Sequence, residues 1–359
     1  EAYRRADGLI DEIDRTLRER QADQLLQLWP SPLNPGNWPE AAIGFADTVQ
    51  RLWDETTEAW DDPKARGELF DNLPLIIVLV IVAVALVVYV RRWIERFAER
   101  LQQGASVRGR HFWALIASLG GIVLPTLGVI ALSWALLASG MVGEVGSLIA
   151  LALPFAGFVV FSAAWLGARA FPRLQGEGAV LPLPPERRAE GRFLSVLMGL
   201  VIAANMLRSA AMDAQAYSDA TTSVMSFPIL LTGGLVLMRL GRTLRKTRET
   251  DDKSASYSLR LIQLLARGLT ALGALGPVLA AFGYVQAAEA VIYPAMMSFA
   301  LVTFLFILQR LLGDAWALIT RQEEAGRDAL VPVLAGFVLS IASLPVLALI
   351  WGARFSDLT

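Results

Sequence analysis

Few side chains in this sequence could carry out acid–base, nucleophilic or metal chemistry. The chain has no cysteine and a single histidine, His111. Thiolate catalysis, disulfides, histidine-pair zinc sites and Ser–His catalysis therefore lack the residues they need. There is no glycine-rich phosphate loop and no nucleophile elbow, and Glu323 and Glu324 form an exposed charged run. We expect a protein that is not an enzyme and that uses no metal or other cofactor.

Two arginines lie in or next to apolar segments, where a charge is costly and is by default a candidate for function. Arg208 and Arg267 both lie near the predicted ends of their segments. Lipid anchoring is the favoured interpretation: Arg208 can reach outwards and pair with Asp213 or Asp219, while Arg267 reaches the inner headgroups. No carboxylate is expected in the middle of a span, which disfavours a proton- or cation-coupled carrier.

The elements that position these residues are long apolar segments. Hydrophobic residues make up 55% of the chain and the mean hydropathy is +0.50, which is typical of a polytopic membrane protein. Leu73–Val90 carries no charge and is close to the length needed to cross a bilayer. Seven further spans are predicted near Phe112–Leu137, Ser147–Ala168, Phe193–Met212, Val224–Leu240, Leu261–Tyr284, Ala290–Leu308 and Leu330–Trp351.

Basic residues concentrate in alternate connections between these spans. The connections after the first, third, fifth and seventh spans hold the arginine clusters, whereas those around 139–146 and 285–289 hold neither lysine nor arginine. The positive-inside rule makes the arginine-rich connections cytoplasmic, so both termini are expected outside the cytoplasm. The other connections are short, which predicts three outward-pointing hairpins from spans two and three, four and five, and six and seven.

The first 71 residues are more polar than the rest and predict a small extracytoplasmic helical domain, with the membrane domain covering 72–359. An apolar stripe including Leu9, Ile13 and Leu17 indicates a first helix. Closely spaced prolines in the segment 30–35 interrupt it, and Pro39 suits the first turn of a second helix. The fold class is thus an all-α membrane protein of about eight transmembrane helices arranged as hairpins behind this domain.

Two further sets of residues are candidates for function, one as helix kinks or hinges and the other as contacts with the bilayer. Prolines inside the predicted spans can kink helices, although membrane helices commonly tolerate proline. They are Pro125, Pro154, Pro228, Pro277 and Pro345. Amphipathic stretches after the first and seventh spans can lie along the inner headgroups, or simply extend their helices. With Arg208 and Arg267, the candidate lipid contacts are Arg91, Arg92, Trp93, Arg96, Phe97 and Trp316.

The N-terminal sequence carries a family resemblance. The segment 5–26 and the segment 30–35, with Trp38, resemble the extracytoplasmic domain of large bacterial mechanosensitive channels of the small-conductance (MscS-like) superfamily. The segment 330–353 is similar to the stretch that precedes the pore in those channels. The resemblance implies a tension sensor of the bacterial inner membrane that responds to osmotic stress, forms a homo-oligomer, usually a heptamer, and interacts with membrane lipids.

The pore helix and vestibule of that family have no counterpart in this sequence, so the pore is expected to be formed by sequence outside the chain. A net charge of −1 gives no reason to expect a nucleic-acid partner. Two other interpretations stay open at this point: a secondary transporter and a non-catalytic membrane scaffold protein.

Overall fold

The computed structural model describes residues 23–89, 109–172, 184–213, 217–245, 255–320 and 330–353, together with Glu12 and Thr16. Regular structure in these ranges is helical. After a 3-10 turn at Pro35–Asn37, the helices are α1 (Trp38–Asp61), α2 (Pro63–Val84, continued by a π-helical turn over Ala85–Tyr89), α3 (Gly109–Ala138), α4 (Glu144–Ala170), α5 (Pro185–Asp213), α6 (Asp219–Arg245), α7 (Ala255–Phe282), α8 (Val285–Thr320) and α9 (Leu330–Ile350).

Seven helices in the described part of the chain, α2 to α8, are long and apolar enough to cross a membrane. In α9 the apolar stretch Leu334–Ile350 is shorter. Seven of the eight predicted spans therefore meet both criteria. The described chain is all-helical, as predicted, and its apolar helices are consistent with a multi-pass membrane protein. Most of the predicted first N-terminal helix and the arginine-rich segment 90–108 lie outside the described residues.

The helices pair as antiparallel hairpins. The turns between α3 and α4, α5 and α6, and α7 and α8 are short, and the members of each pair pack against each other. These three turns define the hairpin side of the bundle; the opposite end, where α4 and α6 end and α5 and α7 begin, is called the arginine side below. The predicted pairing of these helices is confirmed, and the outward direction of the hairpins stays a prediction.

Helix α8 is central to the bundle, because it contacts α3, α4, α6, α7 and α9. Its side chains Ile292 and Met296 are fully buried, as are Leu230 and Leu237 of α6. By contrast, only 6% of the most apolar stretch of α2 is buried within the protein. An apolar helix surface of this kind is suited to lipid, because lipid chains cover it without a polar cost.

Glycines set the close approach between α6 and α7. A Cβ on Gly234 would lie 2.5 Å from the carbonyl oxygen of Gly273, and one on Gly273 would lie 2.7 Å from that of Gly234. Pro277 has no N–H to bond the carbonyl four residues earlier, so the Gly273 carbonyl is free to face the neighbouring helix. Small residues on both helices therefore permit their close packing at this crossing.

Each of the five prolines predicted inside a span lies within a continuous helix, so none of them ends its element. They are distributed over five helices: Pro125 in α3, Pro154 in α4, Pro228 in α6, Pro277 in α7 and Pro345 in α9.

Candidate functional site

A partly buried ion pair joins α5 to α8 near the hairpin side. Arg208 Nη2 lies 2.9 Å from Glu289 Oε1, with side-chain exposures of 10% and 27% respectively. The Arg208 guanidinium also donates to Asn205 Oδ1, at 2.7 Å from Nη2 and 3.2 Å from Nε. One turn beyond Glu289, the phenol oxygen of Tyr293 is buried with no hydrogen-bond partner. The cluster places two charges among apolar helices, where separating them would be costly.

The partner of Arg208 differs from the sequence-based expectation. Asp213 and Asp219 were the candidates, whereas the ion pair joins Arg208 to Glu289, a residue that was predicted to lie in a loop. Helix α8 begins at Val285, only three residues after α7 ends at Phe282, so Glu289 is already in helical conformation. The signal that sequence reasoning missed is Glu289, a glutamate in the first turns of the largely apolar helix α8. It lies opposite Arg208, near the end of α5.

The extended segment before α1 binds the turn between α7 and α8. The backbone N–H of Trp29 donates to the carbonyl of Gly283 at 3.0 Å, and Ser31 Oγ donates to the carbonyl of Ala281 at 2.8 Å. Gly283 has φ +98°, and a Cβ there would lie 2.2 Å from the carbonyl oxygen of Trp29. Both its backbone conformation and the contact with Trp29 therefore require glycine.

Helix α1 binds the turn between α5 and α6. Tyr217 Oη donates to the carbonyl of Gly44 at 3.2 Å, and Ser218 Oγ donates to Glu40 Oε1 at 2.5 Å. Burial raises the pKa of the Tyr217 phenol above its ordinary value, with Arg51 lowering it and Asp47 raising it. The phenol is thus neutral and a hydrogen-bond donor at physiological pH.

Further along α1, Glu55 reaches the third turn, between α3 and α4. Glu55 Oε1 accepts from the backbone N–H of Val145 at 3.3 Å. Gly143, which precedes α4, has no side chain to cap the helix, so the Glu55 carboxylate provides an acceptor at the positive end of the helix dipole. Residues 29–55, here called the N-terminal brace, therefore contact all three hairpin turns.

Arginines close the other end of α4. Arg192 Nη1 donates to the carbonyl of Phe171 at 2.7 Å, and Arg188 Nη1 donates to that of Pro172 at 3.2 Å. Arg188 is only 3% exposed. Cations near a helix C-terminus satisfy carbonyls that have no partner within the helix. These two basic residues, predicted only as markers of the cytoplasmic side, thus also join α5 to the end of α4.

The remaining predicted lipid contacts are not brought together with Arg208. Arg267 is exposed in the first half of α7, towards the arginine side. Trp316 is half-buried on α8, which continues without interruption to Thr320, so the predicted interfacial stretch is an extension of the seventh span. Arg91, Arg92, Trp93, Arg96 and Phe97 lie outside the described residues.

Comparison with known proteins bears on the N-terminal part of the chain. A family model described as a protein of unknown function (DUF3772) matches residues 1–58. No curated protein matches the chain, and no solved structure does. The family match covers only residues 1–58. All the brace residues that contact the three hairpin turns lie within this range. The chain is similar to that family over the brace.

Proposed function

We propose that this chain is the membrane-tension-sensing region of a mechanosensitive channel of the bacterial inner membrane. It couples bilayer tension to the opening of a pore formed by sequence outside the chain. The observation that carries the proposal is the N-terminal brace, which holds the turns of three membrane hairpins through Trp29, Gly44 and Glu55. The resemblance to large channels of the MscS-like superfamily supports the same function.

Tension can shift a conformational equilibrium only when the two states differ in their interaction with the bilayer, through area, thickness or bound lipid. The described helices expose wide apolar faces, and α2, although it packs against α3, has few fully buried residues. Force from the lipids therefore acts directly on helices. A brace across the hairpin turns makes three hairpins respond as one body, so displacement of one is transmitted to the others.

The proposal extends to assembly and location. The chain would be a multi-pass part of a homo-oligomer, a heptamer by resemblance, with its N-terminal region in the periplasm. The arginine side then faces the cytoplasm and its anionic lipid headgroups, as expected from the positive-inside rule.

Patch-clamp recording of the full-length gene product in liposomes, under stepped pressure, tests the proposal. The expected result is a tension-gated current whose threshold moves when residues 1–61 are deleted. The control is Glu58→Ala, a substitution on the exposed face of α1, which should leave the threshold unchanged. Silence of the intact, membrane-inserted protein up to lytic tension would overturn the assignment.

A secondary transporter is the second candidate, because transporters use charged side chains within the membrane and Arg208 with Glu289 forms such a pair. Their mutual binding, and the position of the pair near the hairpin side, favour a structural link between helices. Uptake of substrates into proteoliposomes distinguishes the two: concentrative uptake abolished by Glu289→Gln would establish transport. A non-catalytic scaffold would give neither current nor uptake.

A further inference from the structure

An exposed apolar stripe runs along α1. Its members are between 51% and 71% exposed and are here called the aromatic stripe: Trp38, Phe45, Val49, Trp53 and Trp60. In a helix of about 3.6 residues per turn, these five positions fall within an arc of about 80°. Large apolar side chains gathered on one exposed face mark a surface that another molecule covers.

The stripe faces neither the bundle nor the charged side of α1. The bundle-facing side holds the buried residues Ala41 and Thr48 and lies roughly a third of a turn from the stripe. The charged residues occupy the half of the helix opposite the stripe: Glu40, Asp47, Arg51, Asp54, Glu55, Glu58 and Asp61. An apolar partner can therefore lie along the stripe without burying a charge of α1.

The spacing of the stripe is symmetric about Val49. Phe45 and Trp53 each lie four residues from Val49, and the two outer tryptophans, Trp38 and Trp60, each lie eleven residues from it. An antiparallel copy of α1 centred on Val49 would bring Trp38 of each copy to Trp60 of the other. It would likewise bring Phe45 to Trp53. A surface that matches itself in this way meets the requirement of a two-fold contact between identical chains.

Two small residues share the same arc and the same symmetry. Ala42 and Thr56 are both exposed, and each lies seven residues from Val49. They leave space between the large side chains of the stripe, into which the side chains of a second copy can pack.

The position of α1 on the bundle permits such pairing. Gly44 binds the turn between α5 and α6, and Glu55 binds the turn between α3 and α4, so α1 lies across the ends of the hairpins. Two copies inserted in the same direction into one bilayer can be related only by a two-fold axis along the membrane normal. Helices that lie across the hairpin ends can pair side by side and antiparallel about such an axis.

The charge of α1 favours a protein partner over lipid headgroups. Helices that lie on a bilayer surface usually carry lysine and arginine on their polar face. By contrast, α1 has one basic residue, Arg51, and six acidic ones. Aromatic side chains are also enriched in the cores of protein interfaces, where tryptophan contributes a large apolar area.

From this symmetry, we propose that the aromatic stripe is a two-fold interface between two copies of this chain. The α1 helices of the two copies are antiparallel, with Val49 on the axis. Such a contact closes on two chains, so it is separate from the contacts that would form a ring of seven. The inference goes beyond tension sensing and rests on α1 alone, so it holds or fails separately from the channel assignment.

Cysteine cross-linking of the full-length protein in its membrane tests the interface, with any cysteine outside this chain replaced by serine. Val49→Cys should form a disulfide-linked dimer on oxidation, because the axis brings its two Cα atoms within the disulfide limit of about 7 Å. Gln50→Cys is the control, since Gln50 is also exposed but lies outside the stripe. It should not cross-link.

The direction of pairing is tested by two further variants. Phe45→Cys alone should not cross-link, because its two copies would be eight residues apart along the helices, or about 12 Å. Chains carrying Phe45→Cys and Trp53→Cys, co-expressed with different tags, should cross-link to each other. Adding Val49→Glu to both chains should lower this mixed cross-link about tenfold, since two carboxylates then meet at the axis. Gln50→Glu in its place should have no effect.

Absence of the Val49→Cys dimer from membranes that hold the folded protein would overturn the proposal. Quenching of tryptophan fluorescence by bromine-labelled lipid would then assign the stripe to the bilayer. A dimer that forms only after deletion of residues 1–22 would assign it to the N-terminal segment instead. Cross-linking of Phe45→Cys to itself, without the mixed cross-link to Trp53→Cys, would indicate parallel helices and equally contradict the two-fold interface.

Discussion

At the scale of single residues, the ion pair Arg208–Glu289 is the feature whose disruption we expect to destabilise the bundle. Its two side chains are 10% and 27% exposed. Removing one partner leaves the other charge without compensation among apolar helices, whereas removing both leaves none. We expect Arg208→Met and Glu289→Met each to lower the free energy of unfolding by about 2 to 3 kcal/mol. The double variant should return to within about 1 kcal/mol of the wild type.

Denaturation in mixed detergent micelles measures all three variants, and a double-mutant cycle isolates the coupling between the two residues. Arg239 provides the matched control, since it also pairs with a glutamate, Glu190, but its side chain is 63% exposed. Arg239→Met should cost less than about 1 kcal/mol, as expected for a surface pair. Additive losses at Arg208 and Glu289 would show that the pair contributes no coupling.

At the scale of elements, the crossing of α6 and α7 depends on the absence of side chains. A Cβ on Gly234 would meet the backbone oxygen of Gly273, and backbone cannot rotate away as a flexible side chain can. We expect Gly234→Ala to destabilise the protein by about 1 to 3 kcal/mol through overpacking. Gly268→Ala, on α7 where a Cβ meets nothing within 4 Å, should be neutral or stabilising by up to about 1 kcal/mol. Thermal unfolding in detergent compares the stabilities of the two variants. Equal changes in stability would contradict the close approach of α6 and α7 at Gly234.

The contact between the brace and the turn from α7 to α8 can be tested in a similar way. Gly283 and Gly352 both have positive φ, +98° and +90°, but a Cβ meets the Trp29 carbonyl only at Gly283. Alanine at either position carries backbone strain of about 1 to 2 kcal/mol. Only Gly283→Ala should also release the Trp29 amide, which donates to Gly283. Hydrogen exchange should be faster at Trp29 in that variant alone; unchanged exchange would mean that the turn does not hold the brace.

The membrane-spanning segments could be predicted from the sequence, whereas specific contacts between helices could not. The spans and hairpins were predictable because lipid imposes long apolar segments and short turns. The close approach at Gly273 was predictable in kind, since small residues permit it. The partner of Arg208 was not, because Glu289 is 81 positions away and no local pattern encodes a contact across helices. The hydrogen bonds between the brace and the turns were equally hidden, as on the brace they involve one backbone amide, one backbone carbonyl, one hydroxyl and two carboxylates.

At the scale of the whole molecule, the two sides of the bundle are held differently. On the hairpin side, one continuous segment joins three turns through backbone and side-chain hydrogen bonds. On the arginine side, α4 and α5 are joined by Arg188 and Arg192, and a mostly apolar cavity separates four helices. Under the proposed function, rearrangement is therefore expected at the arginine side, with the hairpin side acting as a rigid support.

Covalent attachment of the brace tests this division. This chain has no native cysteine, so Ser31→Cys with Ala281→Cys introduces its only two cysteines, where Ser31 Oγ lies 2.8 Å from the Ala281 carbonyl. Any cysteine of the full-length protein outside this chain is replaced by serine for the test. If the brace stays bound during gating, the oxidised pair in the full-length protein should open at the same pressure threshold as after reduction. The single-cysteine variants control for the substitutions themselves. A threshold that falls on reduction would show that the brace must detach for the pore to open, and would move the hinge from the arginine side to the hairpin turns.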